Sequence, residues 1–181
     1  MIDSQAALST DTLFTSHVAP GKSFLRKVKC DIKPDKQYFA KFPKNMTDCR
    51  KGVAGDWTEQ WSGFKGQTKV VFRLTLDSLR SVKEVVAGIC NGPSDWVIAP
   101  EKVSVLWSED GERWSEPLEL SPAVPLKEPQ TESRRLRYRV DFDGVRMQYL
   151  KLVVDHCGQL PDWHAFKGEP AWLMIDEIEV R

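Results

Sequence analysis

Two stretches in which apolar and polar residues alternate strictly constrain the fold of this chain most. In RRLRYRVDF (134–142), every second residue is apolar or aromatic, and arginines and an aspartate stand between them. The stretch KVVFRLTL (69–76) shows a similar pattern. Because successive side chains of a β-strand point to opposite faces, this period of two predicts strands with one face in a core and the other in solvent.

Further strands are predicted along the chain, and together they indicate an all-β fold. Apolar runs bounded by turn residues predict strands at 81–89, 102–107, 116–120, 149–154 and 171–180. Within 108–114, the dipeptide Asp110-Gly111 is typical of a tight hairpin turn. No segment keeps a helical period over three turns. Seven or eight strands at this spacing predict an antiparallel β-sandwich of two sheets.

Charge and hydropathy limit the possible functions. Lys+Arg and Asp+Glu both number 26 in 181 residues, so the chain is neutral and gives no electrostatic case for binding nucleic acid. No apolar run has membrane-spanning length, so we expect no insertion into a bilayer. The first fifteen residues do not resemble a signal peptide. Residues 1–16 are expected to be a flexible linker or an expression remnant, and 17–181 a single domain.

The cysteines and histidines predict no zinc site. None of the four cysteines belongs to a C-x-x-C pair, which disfavours a zinc ribbon or a thioredoxin-like site. The three histidines are too scattered for a structural zinc site. Three sets of disulfides are possible and the sequence does not choose among them, while free buried thiols are the simpler expectation. The cysteines are Cys30, Cys49, Cys90 and Cys157.

Several motifs follow one another in a specific order. They are HVAPGK (17–22), W-x-G-F-x-G (61–66), W-x-x-x-P (96–100), S-x-D-G (108–111) and an ending of the form W-H…A-W-L-x-x-D-E-I (163–178). In this order they resemble the discoidin-type domain, also called the coagulation factor V/VIII type C domain. The version at the C-terminal end of bacterial family 20 β-N-acetylhexosaminidases is the most similar. The resemblance covers about residues 17–181.

The resemblance implies a galactose-binding-like jelly roll that serves as an accessory domain and is not an enzyme. A family 20 catalytic barrel would need a far longer chain. Asp176 and Glu177 are not expected to be a catalytic pair, because adjacent strand residues point to opposite faces, whereas glycosidase carboxylates converge on one bond. The parent is expected to be a bacterial glycoside hydrolase in the periplasm, at the outer membrane or outside the cell. Its catalytic domain would be a partner.

Aromatic and polar residues in three loops are candidates for a carbohydrate site. Aromatic rings stack on sugar faces, and polar side chains hydrogen-bond the hydroxyls. The candidate ligand residues are Trp57, Trp96, Trp163, His164, Asp56 and Arg50. The aromatic residues expected to pack inside the domain are Trp61, Phe64, Trp107, Trp114 and Trp172. The expected ligand is a terminal galactose or N-acetylhexosamine, bound weakly.

Alternatives to this sugar site remain open. His164 could tie its own loop to a backbone carbonyl instead of contacting a sugar. The whole domain could pack against a catalytic neighbour and have no ligand of its own. A third interpretation follows discoidin domains that bind lipid head groups or proteins. Burial of Trp57, Trp96 and Trp163 together would leave a sugar without a platform.

The resemblance also implies a structural Ca²⁺, with Asp48 and Glu177 as its candidate ligands. Related modules hold the ion between an early D-G loop and a late strand glutamate, helped by backbone carbonyls. Ca²⁺ accepts six to eight oxygen ligands at about 2.3–2.6 Å, which suits such a mixture. Cys49 stands where the family usually has glycine, and a backbone with positive φ disfavours cysteine. Alternatively, Asp48 caps its own turn and Glu177 pairs with a nearby cation.

Overall fold

The computed structural model describes residues 23–39, 41–122 and 132–181. The predicted flank 1–16, the HVAPGK segment and most of the proline-rich stretch 121–133 lie outside the described residues. The described strands are β1 (Leu25–Cys30), β2 (Ser62–Lys65), β3 (Lys69–Asn91), β4 (Lys102–Ser108), β5 (Leu118–Glu119), β6 (Ser121–Pro122), β7 (Arg134–Asp155) and β8 (Trp172–Val180). Short 3₁₀ turns span Lys36–Tyr38, Lys44–Met46 and Pro93–Asp95.

The two long strands β3 and β7 create both layers of the sandwich. They pair antiparallel along almost their whole length, with register shifts within 75–80 and 82–84. On one side of the shifts the pair is flanked by β1 and β4, and on the other side by β8 and β6. Bulges bend strands and increase their twist, so both strands pass from one layer into the other. The predicted antiparallel β-sandwich is confirmed.

The main core lies between these layers and follows the predicted alternation. Phe72 and Leu74 of β3 are buried with Leu136 and Tyr138 of β7. From β2, Phe64 packs edge-to-face on Phe72, with ring centroids 5.7 Å apart. Trp61 and Phe64 are buried, as expected for packing residues. Burial of these large rings supplies much of the hydrophobic stabilisation, since each removes on the order of 150–250 Å² from water.

The structure corrects several predicted strand boundaries. The stretches 69–76 and 81–89 belong to one strand, β3, and the stretches 134–142 and 149–154 to another, β7. Each looked like two strands in the sequence because the bulges shift the alternation and exposed residues such as Asp77 and Ser78 interrupt it. The strand predicted at 116–120 is reduced to Leu118–Glu119.

The prediction of a tight hairpin turn at Asp110-Gly111 is wrong, because a longer loop makes this connection. β4 and β5 do pair antiparallel, but the longer segment 109–117 connects them. The Asp110 carboxylate accepts hydrogen bonds from the backbone N–H groups of Glu112 and Arg113, at 2.9 Å each. Gly111 has a φ of 83°, which suits glycine. The side chain of Asp110 therefore organises a wide loop where the dipeptide indicated a two-residue turn.

The four cysteines all lie among the described residues, and each is a free thiol. The free state agrees with the simpler sequence-based expectation, but the expected burial holds fully only for Cys90. Cys30 and Cys157 are half-buried and Cys49 is exposed. Burial raises the pKa of Cys90 to about 12 and that of Cys30 to about 11, so both thiols stay protonated at neutral pH. Among the described segments, no helix has the length and apolar character needed to cross a membrane.

Candidate functional site

Two loops beside the start of β8, 91–97 and 161–169, bring four ring side chains together. The ring centroids of Trp163 and His164 are 5.9 Å apart, and those of His164 and Phe166 are 6.0 Å apart. Phe166 in turn lies 5.4 Å from Trp96. These four residues form one continuous patch, termed here the aromatic surface. Three of the six predicted ligand residues therefore lie together, and Phe166 joins them.

His164 holds the aromatic surface in place from within. Its Nε2 donates a hydrogen bond to the Pro93 carbonyl oxygen at 2.9 Å, and its Nδ1 accepts the Phe166 N–H at 3.0 Å. These partners assign the neutral tautomer with the proton on Nε2. Since both ring nitrogens are occupied, His164 ties its loop to the 91–97 loop, which is the alternative left open by the sequence.

The outer rings of the aromatic surface are accessible to solvent. Trp163 is 42% exposed and Phe166 is 56% exposed. Trp96 is half-buried and packs beside Ile98 and Leu160. Large apolar side chains are usually mostly buried, so two exposed rings in one hydrogen-bonded loop form a candidate recognition surface.

The backbone around Trp96 fixes the base of this surface. Trp96 ends the 3₁₀ turn Pro93–Asp95 with a φ of 64°, a left-handed conformation that side chains seldom adopt. Its carbonyl oxygen accepts the Trp172 N–H at 2.8 Å, and Gly92 exchanges two backbone hydrogen bonds with Val97. These bonds attach the loop to β8 and fix the backbone from which the Trp96 indole projects. Strained backbones of this kind persist where surrounding contacts enforce them.

The other three predicted ligand residues lie in the neighbouring loop 47–61. Trp57 is half-buried and packs against Trp61, with ring centroids 5.8 Å apart. Asp56 is exposed in a turn that its N–H closes on the Val53 carbonyl at 3.1 Å, and Arg50 is also exposed. Within the described parts of the chain, none of the three joins the ring contacts of the aromatic surface.

A bulge in β8 places Asp176 and Glu177, termed here the acid pair. The segment 87–89 of β3 faces 175–178 of β8, so β8 carries one extra residue at this point. Both isoleucines that flank the acid pair belong to the main core. The prediction that the two carboxylates point to opposite faces is therefore wrong. Both point away from the main core, towards the loop that contains Asp48 and Gly52.

The negative charge of the buried Asp176 carboxylate is balanced by an ion pair with Arg135. It is 0% exposed and accepts a two-point interaction from the Arg135 guanidinium, with Nη2 to Oδ1 at 3.0 Å. The Gly52 N–H donates to its Oδ2 at 2.8 Å. A Cβ at position 88 would overlap both Asp176 and Arg135, so only glycine fits there. These contacts satisfy the carboxylate and give it a structural role.

Glu177 is also buried, but unlike Asp176 it has neither an ion pair nor a well-formed hydrogen bond among the described residues. It is 1% exposed, and neither carboxylate oxygen has a hydrogen-bond partner of good geometry among the described residues. Desolvation raises its pKa from 4.5 to about 8, although the backbone N–H of Cys49 faces it and opposes the rise. A cation pairing with Glu177, one of the predicted alternatives, is not found among the described side chains.

The loop that faces Glu177 has the backbone expected of a glycine. Cys49 has a φ of 62°, so the position does adopt the left-handed conformation that the resemblance implied. Asp48 is exposed, and its Oδ1 accepts the Arg50 N–H at 3.0 Å. Asp48 thus caps its own turn, as one alternative predicted, and its Oδ2 is left for another partner.

The donor set in this corner suits a hard cation. Within the described ranges, no three His, Cys, Asp or Glu side chains are grouped to hold a metal ion. Two buried carboxylate oxygens of Glu177 and one oxygen of Asp48 would need backbone carbonyls to complete a shell. Mixed carboxylate and carbonyl oxygens are the ligands that Ca²⁺ accepts. The residues present therefore fit the ion that the resemblance implied.

Sequence reasoning missed Phe166 and Arg135. No periodicity marks Phe166, because it lies in an irregular loop. Arg135 looked like one member of a solvent-facing arginine stripe, yet its side chain is 18% exposed and its partner is 41 residues away in the sequence. The spacing of three between Ile175 and Ile178 was the visible signal of the bulge.

The fold is that of an antiparallel β-sandwich, and several solved structures share this fold. A pectin-binding carbohydrate-binding module gives a TM-score of 0.50 at 18% identity, over 88% of this chain and 91% of that chain. The modules CBM32-3 and CBM32-1 of a family 31 glycoside hydrolase from Clostridium perfringens give TM-scores of 0.52 and 0.51, each at 13% identity. They cover 87% and 88% of this chain, and 90% and 96% of their own.

At these identities the likeness establishes the fold alone. It agrees with the antiparallel β-sandwich expected from the strand pattern. No protein-family model and no curated protein sequence matches the chain.

Proposed function

We propose that this domain binds a carbohydrate through the aromatic surface and catalyses no reaction. The observation that carries the proposal is the exposure of Trp163 and Phe166 on a base fixed by His164 and Trp96. The apolar face of a pyranose ring stacks on such rings. Several of the solved structures with this fold are carbohydrate-binding modules, which supports the proposal.

Polar groups for the sugar hydroxyls stand in the same loop. His164 uses both ring nitrogens internally, so it positions the rings and does not contact the hydroxyls. Asp162 and Lys167 flank the exposed rings and are themselves exposed. The loop is closed by backbone hydrogen bonds between Leu160 and Glu169 at 2.7 Å and from Gly168 to Leu160 at 2.9 Å. A site that is already ordered loses little entropy when the ligand binds.

The motif order supports a more specific version of the proposal. The ligand would be a terminal galactose or N-acetylhexosamine. The domain would be an accessory module of a β-hexosaminidase-like glycoside hydrolase in the periplasm, at the outer membrane or outside a bacterial cell. Its second partner would be the catalytic domain of that parent.

A structural Ca²⁺ at Glu177 and Asp48 is part of the proposal. Glu177 would supply its two buried oxygens and Asp48 its Oδ2, with backbone carbonyls of the 47–52 loop completing the shell. The ion would be the cationic partner that the buried Glu177 carboxylate does not have among the described side chains. It would fix the 47–52 loop against β8 and take no part in a reaction.

The test of sugar binding is a calorimetric titration of the whole chain with galactose, GalNAc and GlcNAc, preceded by a glycan array. We expect binding in the millimolar range or tighter for at least one sugar, and its loss in Trp163→Ala. Phe39→Ala is the matched control, because Phe39 is an exposed aromatic residue outside the aromatic surface. If no sugar binds at millimolar concentration, the proposal is wrong, and the alternative that the domain only packs against a catalytic neighbour is favoured.

A further inference from the structure

Three cations lie directly opposite one another on the outer face of the layer that contains β1. Lys29 of β1 pairs in register with Arg73 of β3, which pairs in register with Lys151 of β7. The burial alternation puts Val28, Leu74 and Leu150 in the core, so the three cations face outward. Like charges directly opposite across strands are destabilising. Such a row is a local concentration of positive charge in a chain of zero net charge.

The row forms the floor of a groove of about 370 Å³. Lys27 adds a fourth cation from β1, and the loop after β4 forms the opposite wall with Asp110, Gly111 and Trp114. This volume lies within the range of small-molecule sites, which is about 300–1,000 Å³. The groove thus joins a concentrated positive charge to a concave surface.

The acidic side chains at this groove are already engaged. Asp31 makes a two-point ion pair with Arg73, at 3.0 and 3.1 Å. Asp110 accepts two backbone N–H groups and the Arg113 guanidinium, which hold the pKa of its carboxyl well below the usual range. The charges of Lys27, Lys29 and Lys151 are left without an acidic partner among the described side chains.

Two aromatic residues complete the lining. The Lys151 ammonium lies 3.7 Å from the centroid of the Trp114 ring, a cation–π contact that holds Lys151 at the groove. The Tyr149 ring stands next to Gly111 and also lines the groove. An aromatic wall beside cations matches a molecule that has an apolar ring face and an anionic substituent.

We propose that this basic groove is a second binding site, and that its ligand is an anionic saccharide, a sugar ring that bears a carboxylate or a sulfate. Lys29, Lys151 and Lys27 pair with the anionic group, and Trp114 and Tyr149 contact the ring. The groove and the aromatic surface have no residue in common. This site is therefore independent of the function proposed above and stands or falls separately.

The test uses calorimetric titration of the whole chain with a galacturonate oligosaccharide, a sulfated oligosaccharide, a neutral oligosaccharide of equal length and inorganic sulfate. We expect one of the two anionic oligosaccharides to bind at least about tenfold more tightly than the neutral one. That preference should shrink when the salt concentration rises from about 50 to about 300 mM, because exposed charges are screened. Which of the two binds separates a carboxylate from a sulfate ligand.

Variants assign the binding to the groove. Lys29→Gln with Lys151→Gln should weaken anionic binding at least about tenfold. Lys83→Gln, an exposed lysine of β3 outside the groove, is the matched control and should bind normally. Lys27→Gln on the same face provides a milder variant in case the double change unfolds the protein, as judged by its melting temperature.

Four results would overturn the proposal. The first is equal affinity for the neutral and both anionic oligosaccharides. The second is a loss in Lys83→Gln as large as that in the groove variants. The third is loss of anionic binding in Trp163→Ala, which would move the site to the aromatic surface. Binding of inorganic sulfate without either oligosaccharide would also overturn it, because the aromatic wall would then have no role.

Discussion

The acid pair and the exposed rings of the aromatic surface lie close together in the sequence, yet they reverse the usual distribution of residue types. Asp176 and Glu177 are charged residues in the interior, whereas Trp163 and Phe166 are aromatic residues on the outside. Interior positions normally favour apolar side chains, and surface positions favour charged ones. Both reversals occur within twenty residues that lead into and along β8.

The difference between the two regions shows how one strand supports two tasks. The acid pair acts inward, where carboxylates join the 47–52 loop and β7 to β8. The aromatic surface acts outward, where rings stay exposed because backbone bonds and His164 hold them. Changes in the acid pair should therefore alter stability most, and changes in the aromatic surface should alter binding most.

The largest expected effect comes from removing the counterion of Asp176. Arg135→Met should lower the free energy of unfolding by about 3 kcal/mol, because it leaves a buried carboxylate without a cationic partner. Chemical denaturation measures this. Arg137→Met on the same strand is the control and should lose less than about 1 kcal/mol, since Arg137 is partly exposed and Glu84 keeps two other arginines. Equal losses would mean that burial of the ion pair is unimportant.

The second effect is a pH dependence caused by Glu177. Its raised pKa means that the folded state binds the Glu177 proton more tightly than the unfolded state does. The protonated side chain therefore does not destabilise the fold below about pH 4.5, and the free energy of unfolding falls as the pH rises from 4.5 to about 8. In chelator at pH 8, Glu177→Gln should unfold at higher temperature than the wild type. Each pKa unit corresponds to about 1.4 kcal/mol, so the gain should exceed about 2 kcal/mol.

Added Ca²⁺ should raise the melting temperature of chelator-treated wild type and leave Glu177→Gln unchanged. Glu169→Gln, an exposed acid near the aromatic surface, is the control and should respond as the wild type does. An unchanged melting curve in the wild type would rule out the ion at Glu177 and Asp48.

The third effect separates the ring that contacts ligand from the ring that positions it. Trp163→Ala should reduce sugar affinity at least about tenfold and change stability by less than about 0.5 kcal/mol, because the indole is exposed. His164→Ala should reduce affinity and also lower stability by about 1 kcal/mol, since it removes two hydrogen bonds. Titration and thermal melting measure the two quantities. A His164→Ala protein with full stability would show that the bonds to Pro93 and Phe166 do not hold the loop.

The smallest effect is expected at Cys49. Cys49→Gly should raise stability by about 0.5 kcal/mol, because relief of the left-handed backbone (about 1–2 kcal/mol) is partly offset by the greater freedom of glycine in the unfolded chain. Cys49→Ala keeps the strain and should have no such gain. Denaturation of the three proteins in parallel decides this, and a gain for alanine equal to that for glycine would exclude backbone strain as its cause.

Local sequence patterns predicted the sandwich because strand alternation follows from covalent geometry alone. Alternation placed Phe72 and Leu136 in the core, and the aromatic motif placed Trp61 there. The sequence offered Trp96, Trp163 and His164 only as candidates in separate loops, and it is Phe166 that connects them in one patch. The pairing of Arg135 with Asp176 was not predicted, because it depends on a one-residue bulge and on a contact between distant strands.

Phe166 and the row of cations show the same limit. Nothing near Phe166 in the sequence says that its ring will meet Trp96. Lys29, Arg73 and Lys151 are ordinary solvent-facing residues of three strands until the register aligns them. Sequence patterns indicate which face a residue takes, whereas long-range register decides which residues become neighbours.

The continuity of β3 and β7 through both layers also has a consequence for how the domain forms. Neither layer can assemble or detach while the other keeps its strands, so we expect a single cooperative unfolding transition. The two strands are separated by the whole segment 92–133, and a chain must close that loop before their ladder gains any hydrogen bond. Folding should accordingly be slow for a domain of this size, and the sandwich should resist pulling as one mechanical unit.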